Sequence, residues 1–259
     1  MNEENKELVP QADVALTGQP TETALAEQQE VHGFEESRAE DQLIPRIKVI
    51  NALSPERVDG ICQEGDVINS LTQEDCKNRR FIPIRQYYSN IEWNPDRGSE
   101  TRIFCRSADG RIGVNDMGSC SCASCGKNKF DNTKTGKDAQ PTCTAYMNFL
   151  GFFEGNPMPV VLSFSRTNYN EGRKLLSIAK SMRQSIWNFA YTIDTKKVTK
   201  DRNTWFTPVI SMAGATSVEE RALAAEMFKA FESQVINADY EESTAAATVA
   251  TDADTEAEL

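Results

Sequence analysis

Three thiols crowd into six residues of the stretch SCSCASCGKNKF: Cys120, Cys122 and Cys125. The chain has only seven cysteines in 259 residues, so the crowding asks for a chemical reason. Cys122 and Cys125 form a C-x2-C pair followed by Gly126. That spacing lets two thiolates on a tight turn reach one ion, and the glycine relieves the turn. A tetrahedral zinc ion needs about two more donors. Sixteen residues separate Cys105 from Cys122, and seventeen separate Cys125 from Cys143. Both outer cysteines fall at the ends of strand-like runs, so Cys105, Cys122, Cys125 and Cys143 can enclose a zinc ion, with Cys120 competing for the place of Cys122. The segments between them are polar, contain glycine and hold few core residues. They cannot fold on apolar burial alone, and metal binding would supply that folding energy.

Other uses of the thiols fit less well. The cysteine count is odd and nothing marks the chain for export, which disfavours disulfides. A redox C-x2-C motif belongs at the start of a helix in a strand–helix unit, whereas this one sits in a loop. Cys62 and Cys76 have no partner at metal spacing and read as core or incidental thiols. Four cysteine ligands describe a closed structural site rather than a catalytic one.

Around this region the chain divides by charge. Residues 1–42 hold 11 acids and two bases, residues 232–259 hold eight acids and no base, and residues 43–231 hold 20 acids and 26 bases. The overall charge of -11 therefore hides a basic body between two acidic tails, a pattern that points towards nucleic acid. The tails, 1–42 and 237–259, are too poor in apolar residues to offset ordering entropy and are expected to be disordered. The mean hydropathy of -0.52 agrees with that division. No run approaches the roughly 18 apolar residues of a membrane helix. The opening MNEENKELVP does not read as a signal peptide. A cytoplasmic protein with no membrane partner is expected. His32, the only histidine, lies in the first tail. With no nucleotide-binding loop, zinc-protease motif or nucleophile elbow either, a catalytic role is not expected.

The elements that must position these residues are mostly strands. LIPRIKVI, GDVINSL, RRFIPIRQYYSNIEW, TRIFC, TAYMNFLGFF, MPVVLSFS, SIWNFAYTID and TWFTPVISM all read as extended. EGNP marks a hairpin turn between two of them, and Pro83 implies an edge or a bulge. YNEGRKLLSIAKSMRQ has helical period at Leu175, Leu176, Ala179 and Met182. SVEERALAAEMFKAFESQV is a helix with Ser217 and Glu220 forming a capping box. Trp187, Phe189 and Tyr191 alternate as one face of a strand and read as core. TKKVTKDRN reads as a polar basic loop. The expectation is an α+β, mainly β domain over residues 43–236. It would be an antiparallel barrel or curled sheet with one internal and one C-terminal helix and a metal-binding insertion at about 105–143.

Capture of single strands without sequence preference needs cations for phosphates and aromatic faces for bases. Two stretches interleave them. The first carries Arg79, Arg80 and Arg85 beside Tyr87, Tyr88 and Trp93. The second carries Lys196, Lys197, Lys200 and Arg202 beside Trp205. Arg102, Arg106 and Arg111 add charge near the thiols. The helix cations Arg173, Lys174, Lys180 and Arg183 read mainly as a solvated face.

The order IPRIKVINALSPE, EGDVINSLT, FIPI, then FCRSADG, CASC, TC and LSFSRTNYNEGRKLLS resembles the zinc-containing single-stranded DNA-binding proteins of bacteriophages, over about residues 42–232. The resemblance implies an OB-like barrel with a zinc-bearing insertion ligated by Cys105, Cys122, Cys125 and Cys143. It also implies a non-catalytic role in coating single-stranded DNA during phage replication or recombination, with RNA not distinguished from DNA. Replication or recombination proteins would be met through the acidic C-terminal tail, although DADTEAEL lacks the proline–phenylalanine ending of bacterial counterparts. The alternative is a zinc-knuckle protein-interaction module whose aromatics are all core.

Overall fold

The computed structural model describes residues 43–94, 103–135, 139–200, 203–236 and 238. The tails expected at 1–42 and 237–259 lie outside the described residues, Ala238 apart.

Among the described residues, ten strands form one mixed sheet. They are β1 (Arg46–Val49), β2 (Val67–Asn69), β3 (Arg80–Trp93), β4 (Ile103–Ser107), β5 (Ile112–Asn115), β6 (Gly118–Ser121), β7 (Cys143–Phe153), β8 (Asn156–Ser165), β9 (Phe189–Lys200) and β10 (Asn203–Ala215). The helices are α1 (Pro55–Val58), α2 (Cys122–Cys125), α3 (Tyr169–Ser181) and α4 (Val218–Phe231). The sheet runs β2-β1-β8-β7-β3-β4-β5-β6, and β9 joins the start of β3 and carries β10 on its other side. All these pairings are antiparallel except β1 with β8. The protein is mainly β, as the sequence implies, but the sheet stays open: among the described residues no pairing brings β6 or β10 round to β2. A closed OB-like barrel is therefore not formed.

Strand β3 organises the sheet by changing partners. Arg80 and Phe81 pair with β9, and Asn90–Trp93 pair with β4, while β7 runs along its other side. The register with β7 shifts between Pro83 and Arg85. Pro83 has no N–H to give to a ladder, so the bulge falls where the sequence marks it. Gly151 sits opposite Pro83. A Cβ there would stand 2.6 Å from the Phe81 ring, so only glycine fits.

Both faces of the central sheet are covered. One core gathers Phe81, Phe149, Phe153, Phe164, Tyr191 and Ile193 beneath Leu175 of α3. The other gathers Ile82, Ile84, Ile91, Leu150 and Phe152 beneath Ala224 of α4. Burial on both sides explains the almost unbroken apolar run of β7. Edge-on ring pairs, Phe81–Phe153 at 5.7 Å and Phe149–Phe164 at 5.9 Å, tie the first core together. The capping box of α4 is present: Ser217 N–H donates to Glu220 Oε2 at 2.6 Å, and Glu220 N–H donates to Ser217 Oγ at 3.1 Å.

Two local expectations change. The segment read as a basic loop is largely strand, since β9 continues through Lys200 and pairs with β10 to Asn203. Its β-branched residues Thr195, Val198 and Thr199 suit a pleated ribbon and outweigh the lysines. Trp187 lies in a 3-10 turn before β9 rather than in the strand, and packs against Phe228 at 5.3 Å.

The outer edge of β10 is closed to further pairing. Phe206 N–H donates to Asn51 Oδ1 at 2.6 Å, and Ile210 N–H donates to Glu171 Oε2 at 3.2 Å. Pro208, midway between them, has no N–H to offer, so the edge is blunted without a neighbouring strand.

Candidate functional site

Sheet register gathers the thiols. Glu92 on β3 pairs directly with Cys105 on β4 and with Cys143 on β7. Directly paired residues share a face, so the carboxylate stands between two thiols. The chain then turns at Asp109, whose Oδ1 accepts from Arg111 N–H at 2.7 Å, Ile112 N–H at 3.0 Å and Ser107 Oγ at 3.1 Å. Those donors hold its carboxyl below the usual range, the Arg111 N–H most of all. On β5, Gly113 faces Cys120 of β6. A Cβ on Gly113 would lie 2.8 Å from Cys105 Sγ, 3.4 Å from Cys120 Sγ and 3.7 Å from Cys122 Sγ, so three thiols crowd over a bare backbone.

The one-turn helix α2 presents Cys122 and Cys125 and ends at Gly126, whose φ of 67° is left-handed. That reversal brings Lys127 C=O to the N–H of Cys143 at 3.1 Å, while Cys122 N–H donates to Arg111 C=O at 2.8 Å. The result is one recess lined by Cys105, Cys120, Cys122, Cys125 and Cys143 together with Asn90, Glu92, Ser107, Asn115 and Lys127. Lys127 Nζ donates to both Glu92 carboxylate oxygens at 2.9 and 3.0 Å, and lies 5.1 Å from the centre of the Phe104 ring.

Burial pushes the Cys143 thiol up to about 12, with the Glu92 carboxylate and then Cys122, Cys125 and Cys105 adding to it. Burial also pushes Cys105 up to about 11, with Cys120 the next contributor. Such thiols stay protonated at neutral pH unless a cation offsets them, and a coordinated metal deprotonates a thiol outright. Among the described residues no group of three or more His, Cys, Asp or Glu side chains forms a ready-made metal cage. The donor set itself suits zinc, which takes thiolates in fours. A disulfide suits it less well, and all the described cysteines are free. Cys62 and Cys76 lie elsewhere, Cys76 in the α3-side core.

The expected strand-binding residues separate into two groups. Arg79 lies 3.8 Å from Glu74 and 5.0 Å from the Phe153 ring. Arg80 pairs with Glu154 at 2.6 Å and Glu220 at 3.6 Å. Arg85 donates to the carbonyls of Phe231 and Gln234 at the end of α4. Arg106 donates to the Ala238 carbonyl at 3.4 Å. Tyr87 and Trp93 pack against the α4-side core. These side chains hold the fold together. Turned outward instead are Arg111, Lys196, Lys197 and Lys200, all exposed, and Tyr88, 44% exposed. Register puts Trp205, paired with Val198, on one face of the β9–β10 ribbon with Lys196 and Lys200. Lys197 pairs with Phe206 on the opposite face. Trp205 is half-buried. No salt bridge engages the three lysines among the described residues. Arg102 and Arg202 lie outside the described residues.

Comparison with known proteins adds one match, to the family described as Pam3 phage gp34-like protein, over residues 13–238. The chain belongs to that family. The description points to a phage protein. No curated protein and no solved structure matches the chain. No helix among the described residues is long and apolar enough to cross a membrane.

Several residues of this family member escape sequence reasoning. Glu92 and Lys127 carry no local motif, and only the β3–β4–β7 register brings Glu92 to the thiols. Gly113 reads as one turn glycine among many. Tyr169 also goes unread: it packs against the α3-side core, and burial, with Tyr88 adding to it, pushes its hydroxyl above the usual tyrosine range.

Proposed function

We propose that this phage protein binds single-stranded DNA without catalysing a reaction, coating exposed strands in replication or recombination. In this reading the open sheet is an OB-like platform, and its thiol knuckle is made rigid by a structural zinc ion held by Cys105, Cys122, Cys125 and Cys143. The observation that carries the reading is the β9–β10 ribbon: Trp205 shares a face with Lys196 and Lys200, and no salt bridge engages either lysine among the described residues. A ring flanked by free cations is what a sequence-tolerant strand groove requires. Tyr88, 44% exposed, offers a further ring. Zinc would supply no reaction chemistry; it would hold four thiolates together, while Lys127 balances the charge of Glu92 beside them. The acidic C-terminal tail would compete with DNA for the cations and meet partner proteins.

The test is tryptophan fluorescence during titration with oligo-dT. Stacking on Trp205 predicts quenching in the wild type that Trp205→Phe largely removes while Trp187 and Trp93 remain. Unchanged fluorescence with oligo-dT would instead favour a protein-interaction module.

A further inference from the structure

We propose that Cys120 is a reserve ligand, standing outside the four-thiol set and replacing Cys105 when that thiolate leaves the ion. The proposal rests on the zinc reading above. Five thiols line the recess, and a tetrahedral ion takes four. Sheet order distinguishes them. Cys143, Glu92 and Cys105 lie on the adjacent strands β7, β3 and β4. Helix α2 carries Cys122 and Cys125 back over those strands, until Lys127 C=O accepts from Cys143 N–H. Cys120 stays behind on β6, the outermost strand, two beyond Cys105 and four from Cys143.

Cys105 and Cys120 lean over the same bare backbone of Gly113: a Cβ there would lie 2.8 Å from one sulfur and 3.4 Å from the other. The ligand position open to Cys120 is therefore that of Cys105, not that of Cys143. In the exchange, the Cys120 S–H bond breaks as its sulfur bonds the ion, and the departing Cys105 thiolate takes up a proton. Donor number and charge at the metal are unchanged, and nothing is oxidised or reduced. The knuckle then tolerates modification of Cys105 but not of Cys143.

Alkylation of the zinc-loaded full-length protein with iodoacetamide, followed by peptide mass mapping, tests this without a mutation. Cys120 is expected to react while Cys105, Cys122, Cys125 and Cys143 stay protected. Protection of Cys120 to the same degree as the other four overturns the proposal. Metal analysis supplies the second arm. Cys105→Ser should keep its zinc, now with Cys120 protected, whereas the Cys105→Ser, Cys120→Ser double variant and Cys143→Ser should lose it. Loss of zinc from Cys105→Ser as complete as from Cys143→Ser also overturns the proposal. A wild-type chain that binds no zinc fails differently, because it removes the metal site itself along with the exchange.

Discussion

Gly113 shows how much can depend on an absent side chain. Its backbone has no left-handed strain, yet a methyl group there would press on Cys105 Sγ at 2.8 Å and crowd Cys120. Gly113→Ala should therefore weaken zinc binding, by roughly the 10–100-fold typical of changes beside a metal's ligands. A chelator-competition titration of the purified variant would measure it, and wild-type affinity would show that the sulfurs do not converge over β5. At Trp205 the prediction concerns DNA. Replacing a stacked ring with alanine costs about 1–3 kcal/mol per base, so Trp205→Ala should weaken oligo-dT binding by roughly 5–150-fold. Arg80 provides the contrast: its guanidinium is engaged by Glu154 and Glu220, and Arg80→Gln should alter stability more than DNA affinity.

At the scale of elements, the end of α4 depends on β3. Arg85 reaches the carbonyls of Phe231 and Gln234, where the helix has run out of its own N–H donors. Arg85→Met keeps most of the stem and removes the donors. Loss of charged hydrogen bonds should cost about 2 kcal/mol, lowering the melting temperature by roughly 4–8 °C in calorimetry while leaving the salt dependence of DNA binding unchanged. The same arginine shows where sequence reading stops. Interleaved cations and rings are visible in the sequence, but whether a cation faces solvent or a helix end depends on long-range packing. Most individual strands, the β7–β8 hairpin, α3 and the capping box of α4 were legible, because each is written in local periodicity or in a turn. The open sheet was not, since closure depends on which strands finally pair. Nor was the extent of the β9–β10 ribbon, where Val198 and the threonines override a run of charge. The four spaced thiols were legible, but the approach of Cys120 and Glu92 to them follows from register.

For the whole molecule the governing feature is charge segregation. Residues 232–259 carry eight acids and no base beside a body with six more bases than acids. If the tail competes for the outward lysines, removing residues 239–259 should tighten binding to single strands at low salt and change little at high salt, where screening already weakens the competition. Equal affinities at low salt, read by fluorescence anisotropy, would exclude that competition. The central claim is single-strand binding by a cationic, ring-bearing sheet. Its most direct test is an anisotropy titration of the zinc-loaded full-length protein with labelled single-stranded and duplex oligonucleotides at two salt concentrations. Clear preference for the single strand is expected, with log K falling against log salt by about 0.7 for each phosphate contacted. Equal binding of the two forms, or none at low salt, would contradict it.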